Sequence, residues 1–147
     1  MTKVGIDPGL KQSGIAIETP QTPLTVRTLR LKDSPGTMCD YIIDEITSYP
    51  FHLPGIVAIE AYTHRPYLKR VVTNAAEMGA LVGVLRYRLE VLGFTVIEIL
   101  AEESKRNLPV NDHLAWKKFG LPGKNSHERS AYAVLASIPK ALSVGWR

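Results

Sequence analysis

Val4-Gly5-Ile6-Asp7-Pro8-Gly9 is followed closely by a second apolar run, Ser13-Gly14-Ile15-Ala16-Ile17. Val4 and Ile6 have the alternation of a buried first strand. Pro8 and Gly9 then force a turn, because proline fixes φ and glycine tolerates positive φ. A carboxylate, Asp7, is thereby left at the last residue of a core strand, where water or a metal can reach it. An unpartnered carboxylate beside a core is costly. The competing reading is that Asp7 caps the turn with its own side chain.

Working outward, the first third reads as a β-meander with strands near 3–7, 13–18 and 24–31. The third, Leu24 to Leu31, alternates apolar and polar residues and should be half buried. Ser34-Pro35 predicts a helix near 35–48 with the stripe Met38, Ile42 and Ile46, flanked by Tyr41 and Ile43. Gly55-Ile56-Val57-Ala58-Ile59-Glu60 is a continuous β-branched run, as in a central buried strand, and again ends in a carboxylate. A helix is expected from about Tyr67 to Leu92, with Met78, Leu81, Val82, Leu85, Leu89 and Leu92 at helical spacing and Gly93 ending it. Gly79 and Gly83 lie four apart on it and permit close approach of another element. Phe94 to Ile99 is a further strand. Short helices are expected at 101–107 and 112–119, and Ser126 as N-cap predicts a last helix near 127–138, closed by Pro139. The fold class is therefore α/β: one domain over 1–147, with a mixed central sheet, three antiparallel N-terminal strands and flanking helices.

No apolar run approaches the ~20 residues that span a membrane, and Met1-Thr2-Lys3 leads into a strand without a signal-peptide pattern. The single cysteine, Cys39, reads as a small buried hydrophobe. With no CxxC and no Cys/His quartet, a structural zinc is not expected. A reducing, cytoplasmic setting follows. The net charge of +4 is unevenly distributed: residues 1–61 hold 5 Lys/Arg against 7 Asp/Glu, and residues 62–147 hold 13 against 7. The basic excess in the second part suits a polyanionic partner, nucleic acid first.

If the strands ending in Asp7 and Glu60 are parallel neighbours, both side chains emerge at one sheet edge. Two carboxylates that close are unfavourable unless a proton or cation lies between them. Hard cations such as Mg²⁺ prefer such oxygens, and two ions ~3.5–4 Å apart can activate water and stabilise the leaving oxygen of a phosphodiester. The last helix offers a third part, His127-Glu128-Arg129-Ser130-Ala131-Tyr132-Ala133. His127 and Ser130 share a face, and the small Ala131 lets the helix start press on the sheet. Alone, His127 reads as a capping or surface histidine and Glu128 as an acid complementing a helix N-terminus; with Asp7 and Glu60 they become ligand candidates.

At these residues the chain resembles RuvC-type Holliday-junction resolvases of the RNase H-like superfamily, especially the shorter phage-type members. Gly5-Ile6-Asp7-Pro8-Gly9 with Gly14 is similar to the family's first-strand motif, and Val57-Ala58-Ile59-Glu60 to its second carboxylate strand. Asn74 to Gly83 resembles the long helix that follows. Glu103-Ser104-Lys105-Arg106 and Lys117-Lys118 resemble its basic segment, and His127 to Ala133 its final HxxDA helix. The resemblance covers nearly the whole chain and implies an RNase H-like fold. It also implies a homodimer that cleaves four-way DNA junctions symmetrically with Mg²⁺ or Mn²⁺, in a bacterial or phage-infected cell. Asp7 and Glu60 would be metal-binding carboxylates, and His127 matches a position held by His or Asp. Ser130 departs from the pattern, standing where the family usually has its last Asp. Glu128 then substitutes as a ligand, or one metal is held weakly, or the chain binds junctions and cuts slowly or not at all.

Between the second carboxylate and the long helix, Tyr62, Arg65, Tyr67, Lys69 and Arg70 mix cations with rings that can stack on an unpaired base. Lys105, Arg106, Lys117, Lys118 and Lys124 are further phosphate-contact candidates. Trp116 reads as a packing anchor and Trp146 as a tail contact. The glycine-bearing helix is a core element and, given the two-fold symmetry of a four-way junction, a dimer surface. Ile6-Asp7-Pro8-Gly9 also resembles the first phosphate loop of actin-like kinases, but those need two such domains. The remaining alternatives are a nuclease of the same fold acting on other branched DNA or on RNA, and a junction-binding module without cleavage.

Overall fold

A computed structural model describes residues 1–31, 37–50, 54–61, 75–106 and 108–139. Strands β1 (Thr2–Asp7), β2 (Gln12–Glu18) and β3 (Thr25–Arg30) form the antiparallel meander expected from the sequence. Helix α1 (Met38–Thr47) leads to β4 (Gly55–Ala61), and α2 (Ala75–Val91) to β5 (Thr95–Leu100). The short helices α3 (Ala101–Arg106) and α4 (His113–Lys118) precede α5 (Ser126–Ala136). The sheet order is β3-β2-β1-β4-β5, with β4 parallel to both β1 and β5. Parallel neighbours require crossovers, and α2 occupies the one between β4 and β5.

The period-2 alternation divides the sheet into two faces. Val4, Ile6, Ile15, Ile17, Val57 and Ile59 meet α1 and α2 on one side. Ala16, Ile56, Ala58, Ile97 and Ile99 meet Ala131, Val134, Leu135 and Ile138 on the other. On this second side two strand glycines bring α5 close. A Cβ on Gly5 would overlap the Ala131 carbonyl, and one on Gly14 would overlap the His127 carbonyl. The start of α5 therefore rests on the backbone of β1 and β2 rather than on side chains.

Several boundaries differ from the sequence expectation. Helix α1 starts at Met38, not near 35, because Thr37 and Asp40 form a reciprocal capping box. Helix α5 is capped by Asn125, whose side chain accepts from the Glu128 N–H, so Ser126 is its first helical residue rather than its cap. The expected first turns of the long helix, 67–74, lie outside the described residues, as does Trp146. Gly93 ends α2 at φ 99°, with the Phe94 N–H donating to the Leu89 carbonyl at 3.1 Å. Cys39 is buried against α1's apolar neighbours, as read. Trp116 is a packing anchor: it is 1 % exposed, its indole donates to the Pro122 carbonyl at 3.1 Å, and it meets Tyr132 edge-on at 5.7 Å.

Candidate active site

Asp7 and Glu60 end up side by side for a topological reason. The parallel ladder pairs Ile6 with Ile59, and the next rung sets Asp7 beside Glu60. Both lie at the carboxyl ends of their strands, where open α/β sheets form their crevices, and both face the α5 side. The turn-cap role falls to another residue. Ser13 Oγ accepts from the Gly9 N–H and donates to the Gly9 carbonyl, both at 3.0 Å. Asp7 is thereby available to the site, and its Oδ2 lies 3.2 Å from Nδ1 of His127, the second residue of α5.

Glu60 is 1 % exposed, and among the described residues no group donates a hydrogen bond to either of its oxygens. Lys105, on α3, is the nearby cation, with Nζ 3.5 Å from Glu60 Oε1. Burial, followed by the negative charge of Asp7, pushes the Glu60 carboxyl up to about 7 from an ordinary 4.5, against the pull of Lys105. Burial also raises Asp7, opposed by its contact with Glu60 and by Lys105. The two carboxyls can share a proton while one of them keeps it; with both ionised they repel each other.

Such a pair asks for a cation. Two buried carboxyl groups, one of them with both oxygens lacking a hydrogen-bond donor among the described residues, at an edge that also receives an imidazole, are a donor set suited to a hard divalent ion. Among the described residues, no three His, Cys, Asp or Glu side chains converge as a ready-made metal cluster. The His127 imidazole meets Oδ2 of Asp7 at this edge.

Glu128 is a correction to the sequence reading. Its carboxylate is not beside Asp7 and Glu60 as a substitute ligand but is occupied on the β3 side. Thr28 Oγ1 donates to Oε2 at 2.8 Å, Asn125 Nδ2 to Oε2 at 3.3 Å and the Lys124 N–H to Oε1 at 3.2 Å. Ser130 is buried one turn along α5 from His127. Of the expected nucleic-acid contacts, Lys105 and Arg106 lie on α3, Lys117 and Lys118 form the exposed last turn of α4, and Lys124 is exposed just before α5. Tyr62, Arg65, Tyr67, Lys69 and Arg70 lie outside the described residues. The reading missed Lys105 as a partner of Glu60, and Thr28 and Asn125 altogether. Only the basic character of the Lys105 segment pointed toward the first.

No family model matches the chain. No curated protein sequence matches it either. Solved structures do. RuvC of T. thermophilus in complex with a Holliday junction substrate superposes with a TM-score of 0.68 at 16% identity, covering 99% of this chain and 97% of that one. A second Thermus thermophilus RuvC structure gives 0.59 at 18% identity over the same shares of both chains. Fowlpox virus resolvase with its substrate Holliday junction DNA gives 0.50 at 12% identity, covering 97% of this chain and 99% of that one. The chain has the RuvC-type, RNase H-like fold.

Proposed function

We propose that this chain is a structure-selective DNA endonuclease that resolves four-way junctions by divalent-metal-dependent phosphodiester hydrolysis. The observation that carries the reading is the Asp7–Glu60 pair at the carboxyl ends of β1 and β4, with both Glu60 oxygens buried and accepting no hydrogen bond from the described residues. It lies in a fold shared with resolvases solved on Holliday junction DNA.

Asp7 and Glu60 would hold Mg²⁺ or Mn²⁺, which supplies activation of water and charge neutralisation at the leaving oxygen. His127 orients Asp7 through its Oδ2. Lys105 offsets negative charge at Glu60 and lies where a scissile phosphate would approach. Ser130 offers a neutral hydroxyl where the resembled family usually carries an acid, so any second cation is held more weakly than the first. Arg106, Lys117, Lys118 and Lys124 extend the cationic surface, and Tyr62, Arg65, Tyr67, Lys69 and Arg70, which follow β4 in sequence, are by residue type further candidates for nucleic-acid contact. The two-fold symmetry of the substrate calls for a homodimer, and α2 supplies its face: among the described residues a Cβ on Gly79 or Gly83 would meet nothing within 4 Å, and Val84, Tyr87 and Val91 are exposed. Among the described residues no helix is long and apolar enough to cross a membrane. The cytoplasm of a bacterial or phage-infected cell is the fitting location.

The test is cleavage of a four-way DNA junction in Mg²⁺ or Mn²⁺ by the wild type and Asp7→Asn, with linear duplex and branched RNA as competitors. Paired nicks near the crossover are expected, abolished in Asp7→Asn while junction binding survives. A wild type that binds junctions and leaves them uncut in both metals would make it a binding module.

A further inference from the structure

We propose that Thr28, Glu128 and Asn125 form a positioning latch that holds His127 over Asp7, an inference that rests on the nuclease reading of the Asp7–Glu60 site. The geometry is a single row across the sheet. Gly14 pairs with Asp7 on one side and with Thr28 on the other. The first turn of α5 lies along this row. The His127 side chain meets Asp7, and the His127 carbonyl sits where a Cβ on Gly14 would be. The next residue, Glu128, reaches Thr28.

The hydrogen bonds close on themselves. Thr28 Oγ1 donates to Glu128 Oε2 at 2.8 Å and accepts from Asn125 Nδ2 at 2.7 Å, while the same amide nitrogen is 3.3 Å from Glu128 Oε2. The Glu128 N–H returns to Asn125 Oδ1 at 2.9 Å. Capping the helix requires only this last bond. The bond to Thr28 crosses 100 residues of sequence to the edge strand β3 and adds nothing to capping. It fixes where the helix start sits across the sheet. Glu128 is 8 % exposed, so losing its donors would leave a buried acceptor unpaired and move the backbone that carries His127.

Thr28→Val keeps the shape of the side chain and removes the hydroxyl, whereas Thr28→Ser keeps the hydroxyl. In the intact metal-free protein at fixed pH, long-range ¹H–¹⁵N imidazole spectra report the His127–Asp7 contact directly. We expect Thr28→Val to shift the His127 resonances, to lower kcat on a four-way junction about tenfold, and to raise the Mn²⁺ concentration for half-maximal rate severalfold. Junction affinity without metal should not change, and Thr28→Ser should restore most of the loss. Should Thr28→Val not fold, Asn125→Ser keeps an N-cap acceptor while removing the amide donor and should move the same readouts. Wild-type His127 resonances in Thr28→Val or Asn125→Ser would overturn the latch, even if the melting temperature fell. If the wild type cuts no branched substrate, the nuclease reading fails separately, and the imidazole spectra still decide the latch.

Discussion

Lys105 Nζ stands 3.5 Å from Oε1 of Glu60, a carboxyl group that is itself 1 % exposed. The lysine lowers the proton affinity of both Glu60 and Asp7. Lys105→Met should therefore make the pair hold its proton to higher pH. The acid limb of the cleavage profile should move up by a few tenths to about one pH unit, since Lys105 is partly exposed and screened. Lys105→Arg should leave the limb near its wild-type position. If Lys105→Met only weakens junction binding and leaves the midpoint in place, the lysine serves the phosphate and not the carboxyl pair.

The same pair makes stability depend on pH. Folded Glu60 keeps a proton up to about pH 7, whereas the unfolded side chain releases it near 4.5. Between those values the folded state binds more protons, so stability falls as pH rises. The loss amounts to roughly 3 kcal/mol at most, and the raised Asp7 acts in the same direction. Urea denaturation without metal should give a lower midpoint at pH 8 than at pH 5. Glu60→Gln should flatten that slope, and Mg²⁺ should restore stability at pH 8. A metal-free protein as stable at pH 8 as at pH 5 would show that the two carboxyls do not share a proton.

What could be read from the sequence divides along a physical line. Strands β1 and β4 were legible because apolar runs that stop at Asp7 and Glu60 carry their own boundaries, whereas their parallel pairing was only a condition of the sequence argument and is met in the fold. The small Ala131 already implied that the start of α5 presses on the sheet, but where it sits was not legible. It depends on Gly5 and Gly14 having no Cβ opposite the carbonyls of Ala131 and His127, a contact between segments more than 100 residues apart. Glu128 was misassigned for the same reason: its partner Thr28 is an unremarkable residue of an edge strand, and only the fold brings them together. The start of α1 was legible in principle, since Thr37 and Asp40 have capping-box spacing, but Ser34-Pro35 offered an equally good local signal. Asn125 and Ser126 are likewise both good caps by residue type.

Gly14 lends itself to a direct test of that seating. Gly14→Ala would drive a methyl group into the His127 backbone, and backbone yields less readily than a side chain. We expect a loss of about 2–3 kcal/mol, with cleavage falling further than stability alone explains because His127 moves with the helix. Gly79 is the counterpart. A Cβ there meets nothing within 4 Å among the described residues of the same chain, so Gly79→Ala should stabilise α2 by up to about 1 kcal/mol in a monomer, where no second copy approaches it. Equal midpoints for Gly14→Ala and wild type in urea would mean that α5 does not press on β2.

Val84, Tyr87 and Val91 are 51%, 68% and 69% exposed, and their spacing places them on one stripe of α2. Apolar surface of this kind on a helix whose other face is in the core makes α2 the face to test for the proposed dimer. Among the described residues nothing fills the space that Gly79 and Gly83 leave beside the stripe, room for a second backbone. A two-fold pairing of α2 with its copy would bury the stripe against itself. The wild type should sediment as a dimer at micromolar concentration, and the double variant Val84→Glu/Tyr87→Glu as a monomer, because like charges would meet across the axis. Core residues Leu85 and Leu89 are untouched, so the monomer should keep its secondary structure and the sequential nicks of a one-site enzyme while losing paired cleavage. A wild type that sediments as a monomer, or a double variant that still dimerises, would remove α2 from the interface.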